Sequence, residues 1–129
     1  MKSLLFVAQP GPMTAITFGF LQMILKSANV SVGYISLDEF MSASIQDKIH
    51  KTLVVFAPVT YEEILKVLSI AAALRTTTVT SVLLLDGGMG ERVPVSELRP
   101  FNGNIFCQLG TNQHTRDHFC RFLGECLYL

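Results

Sequence analysis

Short runs of continuous apolar residues recur along this chain, separated by longer stretches in which apolar residues return every three or four positions. The run at residues 53–57 is rich in β-branched side chains and has no polar position, which is typical of a strand buried on both faces. Similar runs at residues 4–8, 30–36, 79–85 and 104–109 predict four further strands. The pattern therefore predicts about five strands.

Helical spacing predicts helices over residues 13–27, from about 61 to 75, and from about 111 to 127. Thr60 and Glu63 have capping-box spacing, in which the hydroxyl accepts from the Glu63 amide while the carboxylate reaches back. In the first helix the apolar residues that recur at helical spacing are Ile16, Phe20, Met23 and Ile24. The set expected on one face of the second helix is Ile64, Leu65, Leu68 and Ala72, and the set expected on the inner side of the last is Phe119, Phe122, Leu123 and Cys126.

The order of the predicted elements repeats the strand–helix–strand unit that builds parallel sheets. Residues 42–50 predict a short surface helix or turn, and residues 91–98 a loop that could open another short helix. A length of 129 residues suggests one domain. We therefore expect an α/β protein, a single three-layer sandwich with a mostly parallel sheet of about five strands.

Composition restricts the partners that the protein can have. Half of the residues are hydrophobic and only 16% are charged, so we expect a homo-oligomer. Ten basic and ten acidic residues cancel, which leaves no field to attract nucleic acid. Pro10-Gly11-Pro12 ends the first apolar run too early for a signal peptide or membrane anchor. We expect a cytoplasmic protein with no membrane association and three reduced cysteine thiols.

Ligands bind parallel α/β sheets where the carboxyl ends of the strands run into loops. The four loops expected at that edge are residues 9–12, 36–39, 58–60 and 86–90. In the last loop, three glycines would let backbone amides approach an anion, and Asp86 could hold a ribose hydroxyl or a metal-bound water. A turn that serves only chain reversal is the alternative, because the spacing matches neither the Walker nor the dinucleotide fingerprint.

Other candidate chemistry is sparse. Asp38 and Glu39 follow a strand and are open to a functional role, whereas Glu63 is explained as a cap. His114 and His118 could face one way and bind a metal, although a solvated pair beside Asp117 is the preferred interpretation. The chain has no serine nucleophile elbow, CxxC motif or phosphate-loop lysine, and we expect no cofactor and no metal.

Several of these segments resemble the amino-terminal domain of ribose-phosphate pyrophosphokinases (phosphoribosyl-pyrophosphate synthetases). Residues 32–39 are similar to that family's adenine-binding loop, and residues 61–75 to a helix with an alanine-leucine-arginine-like end. Residues 82–90 fall at the family's next strand and loop, and residues 92–96 resemble its arginine-to-proline-isoleucine-serine segment. The resemblance covers roughly residues 30–99 and implies an oligomeric domain with a nucleotide site.

The chain also departs from the family pattern. Gly90-Glu91-Arg92 keeps one arginine of the run that grips the ATP phosphates, and residues 108–110 have neither the acid nor the imidazole of the catalytic segment. Phosphoryl transfer depends on such groups, so the resemblance implies a non-catalytic, self-associating protein that binds a nucleotide or phosphate ligand. The residues expected to bind it are Asp38, Glu39, Asp86, Gly87, Gly88 and Arg92.

Two alternatives remain open at this point. The first is an interaction or scaffold protein that binds no ligand and uses its apolar helix faces as an interface. The second is a small nucleotide-processing enzyme in which Asp86 and a loop histidine serve as acid and base. No residue pattern in the chain identifies a substrate for the second alternative.

Overall fold

The five predicted strands form one parallel sheet in the computed structural model, which describes residues 3–26, 28–42, 53–74, 79–85, 93–107, 109 and 111–127. The strands are β1 (Ser3–Val7), β2 (Ser31–Ile35), β3 (Leu53–Phe56), β4 (Thr80–Leu85) and β5 (Ile105–Cys107). Their order across the sheet is β2-β1-β3-β4-β5, and every neighbouring pair is parallel. The predicted α/β class is confirmed.

Strand β3 lies at the centre of the sheet and has no exposed residue. It pairs with β1 on one side, where Leu4 is opposite Leu53, and with β4 on the other, where Val55 is opposite Val82. A run with no polar side chain can be buried on both faces without leaving a polar group unpaired. This property of the sequence explains why β3, rather than β2, is the central strand.

Helices cover both faces of the sheet. The helices are α1 (Pro12–Leu25), α2 (Leu37–Phe40), α3 (Tyr61–Leu74) and α4 (Gln113–Leu127), with a 3₁₀ helix at Val95–Phe101. Buried residues of α1 and α4 share one core with one face of the sheet, whereas those of α2, α3 and the 3₁₀ helix share a second core with the other face. The described residues therefore form three layers, as the sequence predicts.

The predicted capping box is present at the start of α3. The Glu63 amide donates to the Thr60 hydroxyl oxygen at 3.2 Å, and the Glu63 carboxylate accepts from the Thr60 amide at 3.1 Å and from its hydroxyl at 2.8 Å. These bonds satisfy backbone donors that have no partner within the helix. Helix α3 begins after Thr60 for this reason.

The buried faces of α1 and α3 do not coincide with the apolar sets that the sequence pattern picks out. In α1 the buried residues are Thr14, Leu21 and Leu25, whereas Ile16 and Met23 are 64% and 66% exposed. In α3 Leu65 is 47% exposed. Apolar residues lie on every side of α1, and Leu65 adds one to the outer side of α3, so helical spacing alone does not fix which face is inward.

In α4 the predicted inner residues are confirmed, because Phe119 and Leu123 are buried and Phe122 and Cys126 pack against the same core. Helix α4 has enough charged and polar residues to define its face. No helix in the described part of the chain is long and apolar enough to cross a membrane. Apart from residue 42, the predicted helix or turn at residues 42–50 lies outside the described residues.

Candidate functional site: a groove at the carboxyl edge of the sheet

Three of the four predicted loops leave the sheet at its carboxyl edge, because β1, β2 and β3 are parallel. β1 and β3 are neighbours, and the chain continues from β1 toward β2 on one side and from β3 toward β4 on the other. Ligands of open α/β sheets bind outside the carboxyl ends at such a switch in direction. The fourth loop, residues 86–90 with Asp86, Gly87 and Gly88, lies outside the described residues, as does Arg92.

An open groove of about 340 Å³ lies at this edge, between α1 and α4. The residues that follow β3 and the carboxyl end of β4 contribute to its lining, and residues of α1 from Met13 to Met23 form one wall. The lining residues are Met13, Thr14, Ile16, Thr17, Phe20, Met23, Ala57, Pro58, Val59, Leu84, Leu85, Leu109 and Arg116. The groove therefore begins at the switch in direction and extends toward β5.

The walls of the groove are mostly apolar, with two hydroxyls from α1. Among the described residues, Thr14 is the polar residue that is buried. Its hydroxyl donates to the Gln9 carbonyl oxygen at 2.5 Å. This bond ties the first turn of α1 to the loop that follows β1. Since the hydroxyl proton is used in that bond, the Thr14 oxygen can act only as an acceptor toward a second group.

Arg116 is the one charged residue among the described residues that line the groove. Its Nε donates to the Leu109 carbonyl oxygen at 3.3 Å, and its Nη1 donates to Gln113 Oε1 at 3.5 Å. The guanidinium carbon lies 5.8 Å from the centroid of the Phe20 ring. A cation is thus held between the two helices that border the groove.

The position of Arg116 follows from how α4 begins. Asn112 precedes the helix, and its Oδ1 accepts from the Thr115 amide at 3.1 Å, as a helix N-cap does. The Arg116 amide donates to the Asn112 carbonyl at 3.0 Å, so Arg116 belongs to the first turn. The first turn of α4 directly follows the loop after β5, which brings Arg116 to the carboxyl edge.

Asp38 and Glu39 lie at the same edge but on the side covered by α2 and α3, and they do not line the groove. Asp38 Oδ1 is 3.6 Å from Lys66 Nζ of α3. A hydrogen bond from the Gln9 side chain and the charge of Lys66 hold the pKa of Asp38 below its usual value. The Glu39 amide donates to Ser36 Oγ at 3.2 Å, and Ser36 thereby caps the start of α2.

Tyr34 of β2 contacts the start of the loop after β1, next to the point where the strand order reverses. Its hydroxyl donates to the Ala8 carbonyl oxygen at 2.8 Å, and its ring lies against those of Phe6 and Phe18. Burial, with the charge of Glu39 as a smaller cause, raises the pKa of Tyr34. The phenol therefore stays protonated at neutral pH and fixes the loop after β1.

The histidines of α4 do not contribute to the groove lining. His114 and His118 are both exposed, and the His118 ring lies edge-on to Phe106 at 5.5 Å between centroids. Within the described part of the chain, no group of three or more histidine, cysteine or carboxylate side chains is arranged to hold a metal ion. The three thiols are free, and burial is the largest cause that raises the pKa of each.

Searches of protein-family models, curated proteins and solved structures found no match to this chain. The structure itself describes an α/β protein with a five-stranded parallel sheet and a mostly apolar groove at the carboxyl edge of that sheet.

Sequence reasoning located the edge but missed most of the groove. The predicted loop at residues 58–60 contains the lining residues Pro58 and Val59, whereas the sequence pattern does not mark Thr14, Thr17, Phe20 or Arg116 as part of a ligand site. One signal could have indicated α1 as a wall: its fourteen residues include no charged side chain, which is unusual for a helix on a protein surface. No comparable signal marks Arg116, because its place depends on the order of the strands.

Proposed function

We propose that this protein binds a small organic ligand in the groove between α1 and α4 and does not transform it. The observation that supports this proposal is the position of a 340 Å³ groove at the carboxyl edge, next to the switch in direction between β1 and β3. Small-molecule sites typically measure about 300–1,000 Å³ and combine apolar walls with a few polar groups. The groove has this composition, with Thr14, Thr17 and Arg116 as its polar groups.

We propose a nucleotide or another phosphate-bearing molecule as the first ligand class to test. A base can pack against apolar walls, and a guanidinium suits a phosphate because it offers several donors in one plane. The resemblance to ribose-phosphate pyrophosphokinases supports the same class but favours a different set of residues: Asp38 and Glu39, together with Asp86, Gly87, Gly88 and Arg92, which lie outside the described residues. The experiment must therefore locate the ligand as well as detect it.

Isothermal titration with AMP, ADP and ATP tests this proposal when three variants are compared with the wild-type protein. Thr17→Phe places a ring in the groove, and Leu65→Phe adds the same ring on the exposed side of α3 as a matched control. We expect Thr17→Phe to weaken binding at least about 10-fold, while Leu65→Phe leaves it unchanged. Asp38→Asn, which leaves the groove intact, should also have little effect.

Two results would count against the proposal. Absence of binding by all three nucleotides at millimolar concentration would exclude this ligand class. Binding that is unchanged in Thr17→Phe but lost in Asp38→Asn would move the site to the side of α2 and α3, as the family resemblance implies.

Self-association through α1 is a second candidate function, alone or together with ligand binding. The outer side of this helix exposes Met13, Ile16 and Met23 at 41%, 64% and 66%, and Val59 beside it is 47% exposed. A helix that is apolar on all sides is normally covered. A dimer through this surface would share residues with the groove, so association and ligand binding would compete.

Light scattering over a range of protein concentrations tests self-association. Ile16→Glu should shift the protein toward the monomer, whereas Ser69→Glu, an exposed position on α3, should not. A wild-type protein that remains monomeric at the highest accessible concentration would exclude this function.

A further inference from the structure

We infer that the groove selects amphipathic organic anions, in which an apolar, ring-bearing body occupies the groove and a single anionic group binds Arg116. This inference rests on the proposed function, and it adds the ligand's chemistry and the residue that determines specificity. The anionic group can be a carboxylate, a sulfonate or a phosphate, since a guanidinium binds all three through the same donors.

The apolar part of the groove favours an organic ligand with an apolar portion over an inorganic ion. Phe20, Leu84, Leu85 and Leu109 line it, and two methionines border it. Methionine side chains adapt to rings of different shape, because they are unbranched and polarisable. A bare phosphate would gain nothing from these walls and would lose hydration on entering them. We therefore expect the body of the ligand to contribute much of the affinity.

Arg116 is held in place before any ligand arrives. The Leu109 carbonyl accepts from its Nε at 3.3 Å, and Gln113 Oε1 accepts from its Nη1 at 3.5 Å. Gln113 is itself oriented, because its Nε2 donates to Asp117 Oδ1 at 2.7 Å. A fixed guanidinium binds an anion with less loss of conformational freedom than a mobile one.

The surroundings of Arg116 strengthen its attraction for an anion. Its guanidinium lies over Phe20 and beside Leu109, and both of these residues line the groove. Charges attract more strongly where apolar groups displace water than in bulk solvent. Arg116 is the one charged residue among the described lining residues, and the Asp117 carboxylate, which accepts from Gln113, lies outside the lining. The groove is thus apolar along most of its length and positive at α4.

Two fluorescent probes with the same ring system separate the two parts of this inference. Anilinonaphthalenesulfonate carries an anionic sulfonate, whereas phenylnaphthylamine is uncharged. We expect both probes to bind the wild-type protein, with the sulfonate bound more tightly. Added salt should weaken binding of the sulfonate probe and leave binding of the uncharged probe unchanged, because only the sulfonate is attracted by charge. Inorganic phosphate alone should compete poorly with either probe.

Variants of Arg116 supply the decisive comparison. Arg116→Gln should lower the affinity for the sulfonate probe by about 10- to 100-fold, which is the usual effect of losing a hydrogen-bonded charge. The affinity for the uncharged probe should change by less than about 3-fold. Arg116→Lys should have an intermediate effect. Arg121→Gln, at an exposed position five residues further along α4, removes the same charge and should alter the affinity for neither probe.

The possible failures point to different conclusions. If the sulfonate probe is insensitive to salt and to Arg116→Gln while Thr17→Phe still blocks both probes, the selectivity for anions is wrong and the groove remains a ligand site. If neither probe binds, or if Thr17→Phe affects neither, the proposed function fails as well. The salt titration uses wild-type protein, so it decides the matter even if an Arg116 variant does not fold.

Discussion

Helix α1 offers a direct test of how the protein is assembled, because two aliphatic residues of similar size lie on its opposite sides. Leu21 is fully buried in the core shared by α1, α4 and the sheet, whereas Ile16 is 64% exposed. Leu21→Ala should lower the free energy of unfolding by about 2–5 kcal/mol, the usual cost of a cavity in a core. Ile16→Ala should change it by less than about 0.5 kcal/mol.

These magnitudes are large compared with the total stability of a domain, which is usually about 5–15 kcal/mol. Urea unfolding followed by circular dichroism measures both variants, and the loss in Leu21→Ala should shift the midpoint by on the order of 1 M. The measurement is repeated at decreasing protein concentration, because burial of Ile16 against a second copy of the protein would otherwise add to the stability change of Ile16→Ala. Equal losses for Ile16→Ala and Leu21→Ala at the lowest concentration would refute the orientation of α1.

Three further predictions concern the cap of α3, Asp38 and the thiols. Thr60→Ala should destabilise the protein by about 1 kcal/mol in thermal unfolding, and Thr60→Ser by less, because only serine keeps the oxygen that accepts from Glu63. Since the pKa of Asp38 is lower in the folded protein than in the unfolded chain, its stabilising effect is present above the unfolded pKa and is lost as the pH falls through the folded pKa. An NMR titration of Asp38 should therefore show a midpoint below that of an ordinary aspartate, and Gln9→Ala should raise it. Burial raises the pKa of Cys107, so alkylation at neutral pH should be slower than for free cysteine.

Much of the fold could be predicted from the sequence because its strands are short apolar runs with clear ends. The run at residues 53–57 identifies a strand buried on both faces, and β3 is the central strand with no exposed residue. The spacing of Thr60 and Glu63 also predicts where α3 starts, because a capping box depends only on local geometry.

The faces of the helices and the groove could not be predicted in the same way. In α1 apolar residues lie on every side, so several helical phases fit the sequence equally well, and the one that buries Leu21 depends on contacts with the sheet. Phe20 and Arg116 are far apart in sequence and meet only because α1 and α4 cover the same face. The predicted residues Asp86, Gly87, Gly88 and Arg92 lie outside the described residues, so their role stays a prediction.

An NMR titration of the labelled protein with anilinonaphthalenesulfonate tests most directly the claim that the groove is the ligand site. We predict that amide signals change along α1 between Met13 and Met23, at Ala57 and Val59, at Leu109 and at Arg116, all of which line the groove. Signals of α2 should stay in place. Changes confined to α2 and the neighbouring part of α3, or the same changes in Thr17→Phe as in the wild-type protein, would contradict it.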